Sequence, residues 1–123
     1  MSTLKVNDII EATSGGGKVF FSRAWVNFNG VSTVSIRDDG NVSSISDGGT
    51  GLYTMNFSSN FSSVNYCLLG TANVNRSDDK MGVLGPVNPN RDATPFATSN
   101  VKLILSEVGY RTDGPFISAS CIE

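Results

Sequence analysis

Apolar side chains recur along this chain with a period of two, and short polar clusters rich in glycine, asparagine and aspartate interrupt them. Ala24, Val26 and Phe28 alternate with Trp25 and Asn27, which predicts a strand with two distinct faces. Asn29 and Gly30 then supply a turn signal, and Thr33 to Arg37 place Val34 and Ile36 together on one side. Asp38 to Asn41 predict the next turn, after which Val42 to Ile45 resume. Asp47 to Gly51 (DGGTG) predict another turn before Leu52 to Phe57, where Tyr53, Met55 and Phe57 share a face.

The same rhythm continues through Tyr66 to Thr71, a polar stretch from Asn73 to Lys80, and Met81 to Leu84. Gly85 to Asn100 carry three of the four prolines and read as a long loop. Val101 to Val108 are apolar on both sides, as suits a central strand or one at a subunit contact. Tyr110 to Pro115 form a turn and Phe116 to Ile122 a last strand. No window carries a sustained helical period with caps. Seven to nine short strands at this spacing predict an all-β, antiparallel β-sandwich or jelly-roll-like domain over residues 18–123.

Ahead of it, residues 1–17 read as an extended N-terminal arm closed by a flexible Gly-rich hinge, Ser14 to Gly17. Leu4, Val6, Ile9 and Ile10 are the arm's apolar side chains and the candidates for docking on a partner. Trp25, Phe28, Leu103 and Leu105 are the candidates for core or interface anchors.

Composition narrows the chemistry. The 123 residues fit one domain, and Ser, Thr, Asn and Gly make up about two residues in five. A net charge of −2 without a basic run argues against nucleic-acid binding. No apolar run reaches bilayer length, so no membrane insertion is expected. The N-terminus lacks a signal-peptide pattern, which points to synthesis in a cytoplasm.

The chain has no histidine, so the commonest general base, the histidine-dependent nucleophile arrangements and the most usual zinc ligand are missing. No enzyme, metal or cofactor is expected on these grounds. Asp38, Asp39, Asp47, Asp78 and Asp79 fall in predicted loops, where aspartate either ligates calcium or, more commonly, bonds nearby backbone amides. Cys67 and Cys121 sit in strand-like surroundings and read as small buried hydrophobes, with a disulfide as the alternative. Tyr53, Tyr66 and Tyr110 are candidates for stacking on sugar rings, or for packing at the core margin. Asn41, Asn56 and Asn60 match the glycosylation pattern by chance in an Asn/Ser-rich chain.

The stretch Ala24-Trp25-Val26-Asn27-Phe28-Asn29-Gly30 is followed by Val34 to Arg37, Asn41 to Ile45, Asp47 to Gly51 and Tyr53 to Phe57. Together these resemble a module common in tailed bacteriophages of marine bacteria and cyanobacteria. The opening Met1 to Asn7 also resembles the start of small virion and tail-fibre proteins of such phages. The resemblance covers residues 1–70 well and Val101 to Glu123 loosely. It implies a virion surface component, commonly a homotrimer, placed in a tail appendage or as capsid decoration beside other virion proteins. The chain lacks a repetitive stem, which restricts it to a compact knob, a short appendage or a decoration protein. A carbohydrate-binding module that recognises host surface glycans is the alternative, with Gly85 to Asn100 and exposed aromatic residues forming its site.

Overall fold

The computed structural model describes residues 2–5, 20–74, 81–88, 92 and 94–123. Among these residues nine strands follow in order: β1 (Ser22–Asn29), β2 (Ser35–Gly40), β3 (Val42–Asp47), β4 (Leu52–Phe57), β5 (Cys67–Asn73), β6 (Met81–Pro86), β7 (Asn100–Glu107), β8 (Tyr110–Arg111) and β9 (Ile117–Ile122). No helix occurs among the described residues. The strands hydrogen-bond in the order β2-β1-β9-β5-β6-β7-β4-β3, with β8 added to β7, and every pairing is antiparallel. The fold is therefore all-β, as the alternation predicts.

The single sheet bends over itself into two layers. Strands β2, β1, β9 and β5 form one layer, and β7, β4 and β3 the other. Strand β6 turns the corner between them: Met81 and Gly82 pair with β5, while Val83 to Pro86 pair with β7. The opposite corner is made by the chain itself, because β2 and β3 stand at the two ends of the strand order yet are joined through Asn41 alone. The sheet thus comes close to closing into a barrel.

The segment read from sequence as a turn at Asp38 to Asn41 is this second corner, not a hairpin. Asn41 has φ of 57°, a left-handed conformation that asparagine tolerates better than most residues. Its Nδ2 donates to Arg23 O and Ser59 O, both at 3.1 Å, and its Oδ1 accepts from Ser59 N at 2.7 Å. The side chain thereby fastens β1, the corner and the segment after β4 at one point. Asp39 Oδ1 accepts from Val42 N at 3.3 Å and Asp38 Oδ1 from Asp39 N at 2.9 Å, so both carboxylates bond the local backbone.

Alternate positions of four central strands fill the space between the layers. Ala24, Val26 and Phe28 enter it from β1, and Tyr53, Met55 and Phe57 from β4. Val101, Leu103 and Leu105 come from β7, and Ile117, Ala119 and Cys121 from β9. Phe28, Leu103 and Leu105 are completely buried, and each such side chain contributes roughly 1.5–3 kcal/mol of transfer free energy. At one end Phe57, Phe61, Tyr66 and Phe96 stack in series, with ring centroids 4.6–5.3 Å apart from Phe57 to Phe61, Tyr66 and Phe96.

Tyr53 and Tyr66 are buried, which removes them as sugar-stacking groups; Tyr110 is exposed. Cys121 is buried but Cys67 is exposed, and both are free thiols. The register pairs Cys67 with Ile122 and Leu68 with Cys121. One residue of offset sends the two sulfurs to opposite faces of the sheet.

Trp25 is 40% exposed and is not a core residue. The long loop is also shorter than expected, because β6 continues to Pro86 and Phe96 bridges to Val101. Val87 N donates to Lys102 O at 3.0 Å, and Lys102 N donates to Pro95 O at 2.8 Å. Proline has no N–H but keeps its carbonyl, so Pro95 can still accept at the margin of a strand.

Candidate binding face

Strand β9 directs Ile117, Ala119 and Cys121 inward, so the period of two leaves Ser118 and Ser120 outward. The neighbouring strands put larger groups at the same level: Trp25 and Asn27 from β1, Leu69 and Thr71 from β5. Small residues on the middle strand between larger ones on either side make a groove of about 560 Å³.

Trp25 is held in place by a missing side chain opposite it. It pairs with Gly40 on β2, where a Cβ would lie 2.3 Å from the indole Nε1 and 2.8 Å from Cδ1. The ring therefore rests on bare backbone while keeping part of its surface open to solvent.

A polar network stiffens the same face. Asn27 Nδ2 donates to Ser118 Oγ at 2.9 Å, and Arg37 Nη1 donates to Asn27 Oδ1 at 3.3 Å. The other guanidinium nitrogen donates to Pro115 O at 2.6 Å, and Arg37 sits 4.4 Å from the centroid of the Phe116 ring. The Ser22 and Ser120 hydroxyls share a 2.6 Å hydrogen bond. Next to the groove lies a second depression of about 240 Å³, where Thr71 and Ser118 are joined by Asn73, Met81 and Phe116. The two depressions share Thr71 and Ser118 as lining residues. This face offers a ligand flat apolar contact together with amide and hydroxyl hydrogen-bonding groups.

Ionisable groups in depressions are found in the other layer. Asp92 Oδ2 accepts from Lys102 Nζ at 2.5 Å beside Thr54 and Val87, in a hollow of about 320 Å³. The bond from Lys102 and the amide of Thr94 hold the Asp92 carboxyl below the usual carboxylate range. Among the described residues no three His, Cys, Asp or Glu side chains gather where a metal ion could be held. Asp113 is engaged structurally, accepting from Gly51 N at 2.8 Å and from the Tyr53 hydroxyl at 2.9 Å.

Of the residues singled out from sequence, Trp25 lines this groove, and exposed Cys67 lies on the same outer side of β5. Phe28, Leu103 and Leu105 are core, and Leu4 is exposed. Val6, Ile9 and Ile10 lie outside the described residues. Sequence reasoning missed Leu69, Met81, Val83 and Phe116, all of which are more than half exposed. Their signal was weak, because each sits in a run with inward-facing apolar neighbours such as Leu68, Leu84 and Ile117. No protein-family model, curated protein or solved structure matches this chain.

Proposed function

We propose that this chain is a structural component of a tailed-phage virion, displayed on the particle surface as a short appendage or capsid-decoration protein, and that it works as a homo-oligomer. The sequence resemblance supplies the setting. The observation that supports the reading is the outer face around Trp25: a hydrogen-bonded sheet surface that presents an indole pinned over Gly40 and 40% exposed. Partners in this reading are further copies of the chain and other capsid or tail proteins, reached in part through the N-terminal arm. Gradient-purified particles should contain the chain, and antibodies against it should label intact particles. Its absence from particles refutes the assignment. Deletion of residues 1–16 should block incorporation while leaving the domain folded.

A second reading draws on the same groove. An exposed indole beside Asn27, Thr71, Ser118 and Ser120 is chemically suited to a sugar ring, whose apolar face stacks while its hydroxyls bond. Binding of host surface glycans on an array, lost in Trp25→Ala, is the expected result in this reading.

A further inference from the structure

We infer that the outer face running from β1 across β9 and β5 to β6 is the surface through which one copy of this chain packs against another. The inference rests on the proposed homo-oligomer and assigns its contact. Trp25, Leu69, Phe116 and Met81 lie along this face, with Val83 at its edge where β6 turns the corner toward β7, and they are 40%, 52%, 57%, 75% and 72% exposed. At about 150–250 Å² for an aromatic side chain and somewhat less for an aliphatic one, these five leave on the order of 500 Å² open. Apolar patches of that size are at the upper end of what monomers leave uncovered. With the intervening Asn27, Thr71, Ser118 and Ser120, the strip approaches the ~800 Å² per partner of a standard interface.

The charge pattern of the strip is compatible with a second copy. Among the described residues, the outward positions between Trp25 and Val83 on β1, β9, β5 and β6 include no Asp, Glu, Lys or Arg, and at the Trp25 end Arg23 lies 3.9 Å from Glu123 as an ion pair. Arg37 borders the strip, committed to Asn27, Pro115 and the Phe116 ring. Two identical chains carry like net charge, and an uncharged face lets them meet without opposing like charges. Interface centres are likewise poor in charge and rich in aromatic residues and methionine.

The outer face of the other layer is more mixed, with Leu52, Ile104 and the 79% exposed Tyr110 set among polar groups. There Asn56 Nδ2 bonds Ser44 and Ser46 hydroxyls at 3.1 and 2.9 Å, and Lys102 pairs with Asp92. An antiparallel sheet with one solvated face ordinarily shows a polar exterior. The β1–β9–β5–β6 face departs from it. Its groove over Ser118 and Ser120 gives a large side chain of a facing copy a place to seat, and repetition of one such contact closes an assembly.

The test uses the full chain and its sole tryptophan. Sedimentation equilibrium of the wild type should give an oligomer, with Trp25 emission moving to the red as dilution dissociates it. Leu69→Lys and Val83→Lys place charge on exposed positions without touching the core. Each should keep the wild-type circular dichroism and melting temperature, sediment as a 13.0 kDa monomer and weaken association roughly 100-fold or more. An oligomeric wild type whose variants associate equally well overturns the face assignment and leaves the oligomer standing. A wild type monomeric at tens of micromolar overturns both. A monomer whose Trp25 emission shifts on adding soluble glycans identifies the face as a saccharide site and likewise overturns the inference.

Discussion

Gly30 and Tyr53 are packed so closely that a Cβ on Gly30 would lie 2.4 Å from the Tyr53 hydroxyl oxygen. The glycine follows β1 and was legible as a turn residue, but its φ is not in the left-handed region. It is needed because the tyrosine fills the volume a side chain would take. That hydroxyl lies 2.9 Å from Asp113 Oδ1 and 3.0 Å from Gly30 O, and so ties β4 to both loops. Tyr53→Phe should lower stability by about 1–2 kcal/mol, the cost of removing one buried hydrogen-bonding group. Gly30→Ala should cost more, because the ring must move. Urea unfolding of both variants checks the order.

Alkaline pH should destabilise the fold. Burial is the main cause that raises Tyr66 from 10.0 to about 12 and Cys121 from 9.0 to about 12, with Cys121 adding to the first and Cys67 to the second. Burial and then Asp113 push Tyr53 up as well. In each case the folded chain keeps a proton that the unfolded chain releases. This stabilising contribution is complete below pH 9, falls as pH rises through 9 and 10 and, for Tyr66 and Cys121, is gone near 12. Melting temperatures measured from pH 8 to 11 should drop across that window. Tyrosinate absorbance from buried Tyr66 should appear only with unfolding.

The corner between the layers depends on one asparagine. Asn41→Ala removes three side-chain hydrogen bonds and leaves a Cβ-bearing residue without them at φ of 57°. The expected loss is about 2–3 kcal/mol. Asn41→Gly loses the same hydrogen bonds but fits the backbone, so it should be the milder of the two by roughly 1 kcal/mol. Thermal denaturation of the pair separates the two contributions.

Core and outer face should respond oppositely to truncation. Leu105→Ala opens a cavity at a completely buried position and should cost roughly 2–5 kcal/mol. Trp25→Ala removes a larger side chain from a half-open site and should cost under about 1 kcal/mol in the isolated chain. A Trp25 effect as large as that of Leu105 would show that the indole acts as a core residue.

Local rules set what the sequence determined by itself. The period of two in Ala24-Val26-Phe28, Tyr53-Met55-Phe57 and Val101-Leu103-Leu105 fixes which side of each strand is apolar, because a pleated backbone points successive side chains apart. The DGGTG hairpin between β3 and β4 was readable for the same reason, since its Gly49 and Gly51 adopt the positive φ that glycine permits.

Only the tertiary structure decided how these strands meet. Asp38 to Asn41 reads locally as a turn whether the chain doubles back or crosses to another layer, and the choice falls to the bonds from Asn41 to Arg23 and Ser59. Cys67 and Cys121 look alike in sequence, and the register of β5 on β9 sends one outward and the other into the core. Trp25 carries no mark of exposure either. Its place on the surface follows from Gly40 on the next strand and the small residues of β9, neighbours about 15 and 95 positions away in sequence that only the pairing of strands brings alongside.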